Sequence, residues 1–195
     1  LLAPAPYAAP AAYYFPMTAR VIGVEAFKGP TATRYGPHTV GGAINLLTRN
    51  VPKKSGSYFD LSAGLRNSYR AHGWGALRGA KSGLLFEGVH LRSDGFKELD
   101  TGGETGFDRS EMMLKANYMP QKNHQLALKV GYTNETSNET YVGLTEADAA
   151  ENPYRRYAAS EKGLMRWNRT QANLEWNYQS GPNFKARTVL YHNWL

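Results

Sequence analysis

Cysteine is absent from all 195 residues, which excludes a disulfide framework and a thiolate metal site. No apolar run approaches the roughly 20 residues that a membrane-spanning helix needs, so a helical membrane protein is excluded. Strands that cross a bilayer are not excluded, because their apolar positions alternate with polar ones. Long runs of helix-forming residues are lacking as well, and Gly or Asn punctuates the chain every ten to fifteen residues, which favours strands. The opening residues carry no basic n-region and no continuous apolar core, so no signal peptide is recognisable there. The five histidines, at positions 38, 72, 90, 124 and 192, form no HExxH pair, and neither a GxSxG elbow nor a P-loop occurs. Enzymatic chemistry is therefore not expected, nor is a covalently held cofactor. Asn134, Asn138 and Asn168 begin Asn-x-Thr strings, which matter only in a eukaryotic secretory protein.

What is present is glycine (20), tyrosine (13) and tryptophan (4) in a chain of net charge +7, with a mean hydropathy of -0.54. Lys and Arg are scattered, with only Lys53-Lys54 and Arg155-Arg156 adjacent. No basic helix or stripe suited to nucleic acid results. The excess charge reads either as a mildly basic surface or as attraction for an anionic ligand.

Residues 1–19 are rich in Pro, Ala and Tyr and are expected to be irregular. Residues 20–49 then place two apolar runs, 21–27 and 43–47, around turn chemistry at Gly29-Pro30, Gly36-Pro37 and Gly41-Gly42. Two short strands flanking tight bends are expected, with Gly41-Gly42 permitting positive φ or close backbone approach. Glu25, inside the first apolar run, is expected to need a partner such as Arg34, Arg49 or another arginine once buried. Residues 53–57 read as a polar linker.

From residue 58 the pattern is period two. Phe59, Leu61 and Ala63 alternate with Asp60 and Ser62. The same holds for Met112/Leu114/Ala116/Tyr118, Leu126/Leu128/Val130/Tyr132, Ala172/Leu174/Trp176/Tyr178 and Phe184/Ala186/Thr188/Leu190 against polar neighbours. About seven strands are expected; in 74–80 and 84–92 charge falls on both faces and leaves the outward side open. Connections are short near 81–83, 119–124 and 179–182 but long at 94–106 and 136–163, the first of the long series, near 68–73, being the short exception. Short turns at one end and long loops at the other are the mark of an up-and-down outer-membrane barrel. Aromatics near the strand ends agree: Tyr58, Phe59, Tyr118, Trp176, Tyr178 and Phe184 toward the short turns, and Tyr69, Trp74, Tyr132, Trp167 and Trp194 toward the long loops. Two such bands are expected where amphipathic rings meet lipid headgroups.

The string Val24-Glu25-Ala26-Phe27-Lys28-Gly29-Pro30, then Arg34-Tyr35-Gly36, then Val40-Gly41-Gly42-Ala43-Ile44-Asn45-Leu46-Leu47-Thr48-Arg49 resembles the plug motif of TonB-dependent outer-membrane receptors. Ala26 departs from the Val usual there. Residues 93–100 and 143–157 resemble the ferric-dicitrate-like branch of siderophore receptors, with Ala149 where an aromatic is usual. The resemblance implies a mostly β protein: the C-terminal part of a plug domain at 1–52, the linker at 53–57, and at 58–195 the first seven or so antiparallel strands of a 22-stranded transmembrane β-barrel. It implies residence in the Gram-negative outer membrane among lipid and lipopolysaccharide. A ferric siderophore is the implied ligand, and the inner-membrane TonB complex is the implied partner, acting through an earlier part of the plug.

Anionic, oxygen-rich chelates suit arginine forks and tyrosine hydroxyls. The ligand-binding residues expected on this basis are Arg34, Tyr35 and His38 in the plug and Tyr154, Arg155, Arg156 and Tyr157 in the longest loop. Binding to lipopolysaccharide phosphates, or plain solvation, is the competing reading of the arginines. Glu25 and Arg49 are expected to hold plug to barrel. A soluble or secreted β-rich module that binds an anionic polymer is the alternative from another class, and a purely structural barrel or adhesin a third.

Overall fold

Alternation at period two becomes strand wherever it is sustained. The structure is a computed structural model that describes residues 15–29, 41–138, 140 and 142–195. Two compact units divide the chain, Leu1–Asn50 and Val51–Leu195. In the first, β1 (Val21–Lys28) pairs antiparallel with β2 (Gly42–Thr48). Gly42 has φ near 143°, and a Cβ there would lie 2.7 Å from the Phe27 carbonyl oxygen. The close approach expected of the Gly41-Gly42 pair is thus found at its second member. The bends at 30–40 lie outside the described residues.

In the second unit the long strands are β3 (Gly56–Ala63), β4 (Tyr69–Arg78), β5 (Ser82–Ser93), β7 (Phe107–Tyr118), β8 (His124–Ser137), β10 (Met165–Ser180) and β11 (Phe184–Trp194). They form one seven-stranded sheet in which every strand neighbours the next long one and all pairs are antiparallel. The short pieces β6 (Glu98–Leu99), α1 (Glu146–Glu151) and β9 (Arg155–Arg156) sit within the two long loops. Among the described residues no helix is long and apolar enough to cross a membrane.

Register sorts the side chains into two faces. One pairing row runs Leu77, Leu84, Ala116, Leu128, Leu174, Leu190, and Leu77 and Leu190 are more than 60% exposed. Two residues along lies Gly75, Phe86, Leu114, Val130, Ala172, His192. The opposite face carries Trp74, Glu87, Met113, Gly131, Gln171, Asn193 in one row and His72, Val89, Glu111, Thr133, Arg169 in the next. Apolar outside and polar inside is the arrangement of a membrane barrel and the reverse of a soluble sandwich.

The rows also climb. The row through Gly73, Gly88, Met112, Tyr132, Thr170 and Trp194 lies five residues from Arg78 at the short-turn end of β4, but ten from Ser180 at that end of β10. Strands that stagger steadily in this way are tilted, as closure of a barrel demands.

The faces left open for 74–80 and 84–92 are now assigned: Leu77, Leu84 and Phe86 point to the apolar side, while Leu85, Glu87 and Val89 are buried on the polar side. Leu85 packs there with Ala76 and Met113, against Val51 and Trp74. Three aromatics placed in the bands are corrected. Tyr58 and Trp74 pair with each other on the face of His72 and Glu87, and Trp167 faces Glu135 there with Arg109 over its ring at 5.6 Å. Around Trp74, glycines on both sides and apolar residues of both parities erase the alternation that would have shown its face. At the short-turn end the band keeps Tyr118, Trp176, Tyr178 and Phe184, and gains His124, whose ring stacks on Trp176 at 5.8 Å. Tyr69, Tyr132 and Trp194 lie toward the other end.

The turn expected near 68–73 falls instead at 64–68, where Arg66 and Asn67 take φ of 60° and 48°. Gly64 N–H donates to Ser68 O at 2.8 Å and Ser68 N–H to Leu65 O at 3.2 Å. Asn tolerates this left-handed region, whereas for Arg66 it costs roughly 1–2 kcal/mol.

Candidate functional site: a strap across two long loops

The polar face of the sheet is laced with charge. His72 Nε2 lies 3.1 Å from Glu87 Oε1. Arg109 donates to Glu111 at 2.7 Å and lies 3.2 Å from Glu135, with Glu87 and Glu111 fully buried. Buried carboxylates are tolerable only with such partners. Their effect is to fix side-chain positions along the wall.

At the long-loop end, two loops distant in sequence become one body. Asn138 N–H donates to Gly106 O at 2.9 Å at their roots. A Cβ on Gly106 would sit 1.8 Å from Ser93 O, so only glycine allows that neck to close. Farther out, β6 and β9 pair in parallel: Glu98 N–H donates to Tyr154 O at 2.7 Å and Asp100 N–H to Arg156 O at 2.9 Å. Lys97 Nζ adds a bond to Pro153 O at 2.9 Å, and Asn152 one to Glu98 at 3.2 Å.

Each expected loop residue has a definite place in this strap. Arg155 forks onto Asp100 through Nε (2.9 Å) and Nη2 (3.3 Å), and donates from Nη1 to Asp148 at 2.7 Å. Arg156 is buried; it donates to Ser160 Oγ at 2.9 Å, Ser160 O at 2.7 Å, Asn138 O at 2.6 Å and Gly163 O at 3.2 Å. Tyr157 donates its hydroxyl to Asp148 and receives the Thr145 N–H at 3.1 Å. Tyr154 alone of the four is substantially exposed. The two arginines are thus engaged within the loops rather than paired toward solvent.

Asp148 closes the cap of α1: Thr145 Oγ1 accepts from the Asp148 N–H at 3.2 Å and donates back to its carboxylate at 2.6 Å. The Thr145 hydroxyl, then the Tyr157 hydroxyl, holds the Asp148 pKa below the ordinary carboxylate range. Asp100 is lowered too, first by its hydrogen bond from Arg155. A cleft of about 450 Å3 opens beside the strap, lined by Glu98, Leu99, Asp100, Asp148, Glu151, Asn152 and Arg155. Four carboxylates against one guanidinium make that cleft repellent to a polyanion.

Asp100 and Asp148 were not singled out in the sequence. Thr145-x-x-Asp148 is a helix-capping signature that would have flagged the second; nothing local marks Asp100, 55 residues from Arg155. Arg34, Tyr35 and His38 lie outside the described residues. Glu25 is exposed and receives a hydrogen bond from Asn45 at 2.9 Å, directly across the β1–β2 pair, so a neutral amide rather than an arginine is its partner among the described residues. Arg49 follows β2 and is half-buried.

A staggered antiparallel wall, apolar on one face and charged on the other, with its loops sorted by length and a short two-stranded unit before it in sequence, is the architecture of part of a plug-and-barrel fold. No family model matches the chain. Solved structures do. The ferric citrate transporter FecA in its unliganded form aligns over 90% of this chain and 27% of its own, at 18% identity and a TM-score of 0.70. The copper transporter OprC aligns over 99% and 28%, at 17% identity and a TM-score of 0.66. The siderophore receptor PirA from Pseudomonas aeruginosa aligns over 92% and 29%, at 13% identity and a TM-score of 0.58. The chain therefore has the fold of the TonB-dependent receptors, and spans less than a third of the length of each of these three structures.

Proposed function

We propose that this chain is part of a TonB-dependent transporter that takes up a ferric chelate across the Gram-negative outer membrane. The observation that carries the reading is the two-faced sheet. Its unbroken row from Leu77 to Leu190 suits lipid, and its opposite face of Glu87, Glu111, Arg109 and Arg169 suits a wet lumen holding a plug. The plug motif at 24–49 supports the same reading. In it the inner-membrane TonB complex supplies energy by pulling on the plug, while lipid and lipopolysaccharide surround the wall. The resemblance of 93–100 and 143–157 to ferric-dicitrate-like receptors makes iron chelates, ferric citrate included, the first ligands to try.

Tyr154, with Arg34, Tyr35 and His38 of the plug, are the proposed ligand contacts; Arg155, Arg156 and Tyr157 serve by holding the loop that presents Tyr154. Glu25 and Arg49 are proposed to fix the plug. A soluble polymer-binding module is disfavoured by the leucine row, which in water would leave an apolar patch across six strands. Deletion of the complete gene, followed by growth and iron uptake under iron limitation, tests the proposal. Loss of uptake of at least one ferric chelate is expected; undiminished uptake of every chelate tried would sink it.

A further inference from the structure

The two ends of the sheet differ in charge as well as in loop length. At the long-loop end cations and carboxylates occur together and pair: Arg70 with Asp60, Arg92 with Asp94, and Arg155 with Asp100 and Asp148. At the short-turn end, residues 51–57, 78–83, 117–125 and 179–186 contain no Asp or Glu but carry Lys53, Lys54, Lys81, Lys122 and Lys185. All five lysines are exposed. None of them forms an ion pair among the described residues.

The turns that carry them are fastened to one another. Met119 N–H donates to Lys81 O at 2.8 Å and Lys81 Nζ to Pro120 O at 3.1 Å, joining the turn after β4 to the turn after β7. Gln179 N–H donates to Asn123 O at 3.0 Å, which joins that second turn to the end of β10, where Gln179 pairs with Lys185 across the last hairpin. Lys81, Lys122 and Lys185 therefore sit on one continuous rim. Beside the rim, on the apolar face, stands the aromatic band. Trp176 stacks on His124 and Tyr178, with centroids 5.8 and 6.0 Å away, and Phe184 meets Tyr178 edge-on at 6.1 Å. Trp176 Nε1 donates to His124 Nδ1 at 3.1 Å, which leaves the proton of that imidazole on Nε2 as a further donor.

An aromatic band marks the headgroup level of a bilayer, and in a membrane barrel the short turns lie on the periplasmic side. Lysines just beyond such a band extend their ammonium groups into the layer of lipid phosphates. A zwitterionic headgroup brings its own ammonium to its phosphate and offers these lysines little, whereas a headgroup of net negative charge is attracted by every lysine within a Debye length. We infer, on the outer-membrane reading above, that Lys81, Lys122 and Lys185, with Trp176, Tyr178 and His124, form a docking site for an anionic phospholipid headgroup of the inner leaflet, of the phosphatidylglycerol or cardiolipin kind.

The test uses the intact receptor, purified in detergent and mixed with equal amounts of phosphatidylglycerol and phosphatidylethanolamine. Native mass spectrometry reads which lipid is retained. Phosphatidylglycerol is expected to be favoured on the order of tenfold, and the preference to shrink as ammonium acetate is raised from about 0.1 M to about 1 M. Lys81→Gln, Lys122→Gln and Lys185→Gln together are expected to abolish the preference, and arginine at the same three positions to retain it. The parent's own preference and its salt dependence read the site even where the glutamine variant fails to fold. Equal retention of the two lipids by the parent, or a preference that survives loss of the three lysines, overturns the site and leaves the uptake reading standing. Co-sedimentation with purified peptidoglycan that falls in the glutamine variant, without any lipid preference, overturns it in favour of cell-wall carboxylates. A receptor that is monodisperse without detergent and retains neither lipid overturns the membrane reading as well.

Discussion

Two neighbouring arginines, identical in sequence terms, have opposite duties. Arg156 satisfies backbone carbonyls of 138, 160 and 163 and is itself buried. Arg156→Ala would strand those acceptors and cost on the order of 2–4 kcal/mol of local loop stability. Protease cleavage within 138–164 is expected to accelerate while the strand signal in circular dichroism stays unchanged. Arg155 instead bridges Asp100 and Asp148, whose pKa values are lowered from 3.8 by the hydrogen bonds they receive. A carboxylate with a depressed pKa stabilises the structured loop fully above its unfolded value and progressively less as pH falls through the folded one. The strap is therefore expected to hold at neutral pH and to loosen below about pH 4. Hydrogen exchange at 98–100 and 154–157 should rise there, and Asp100→Asn should show the raised exchange already at pH 7.

At the scale of elements, the outward faces of five of the seven strands were legible because their apolar residues fall on one parity, from Phe59 to Leu190. β4 and β5 were not, since Leu85 and Val89 are buried on the charged face while His90 and Arg92 occupy the other. What distinguishes the parities there is the pairing of Trp74 with Glu87 and of Leu77 with Leu84, a tertiary fact. The turn at 64–68 escaped for a related reason: Arg66 has no preference for positive φ. Pairing of β6 with β9 joins segments more than fifty residues apart and leaves no local trace. Face assignment makes its own prediction. Leu128→Arg, on the apolar face, is expected to cost about 2–4 kcal/mol at mid-bilayer, read as lost heat-modifiable mobility of the folded receptor on gels. Lys129→Arg, one residue on but facing inward, is expected to fold normally.

On the scale of the molecule, the sheet presents β3 and β11 as edges with no neighbour among the described residues. In lipid each unpaired backbone group costs several kcal/mol, and in water a long apolar edge invites association. The 195-residue chain produced alone is expected to aggregate in plain buffer; a monodisperse species with cooperative thermal unfolding and no detergent would contradict the membrane reading. The seven strands and the sorted loops could be read before any coordinates, because period and loop length are local properties. Which partners the loop arginines take could not, because Asp100 lies 55 residues from Arg155.

The strap has a consequence for whatever approaches that end from outside. Segments 94–106 and 142–164 present a single composite relief, in which Phe96 and Tyr154 are adjacent although fifty-eight positions apart. An antibody or phage that recognises this relief reads a discontinuous epitope. A linear peptide covering either loop would not compete for it, and Asp100→Asn, which weakens the fork from Arg155 and leaves only its bond to Asp148, would weaken recognition.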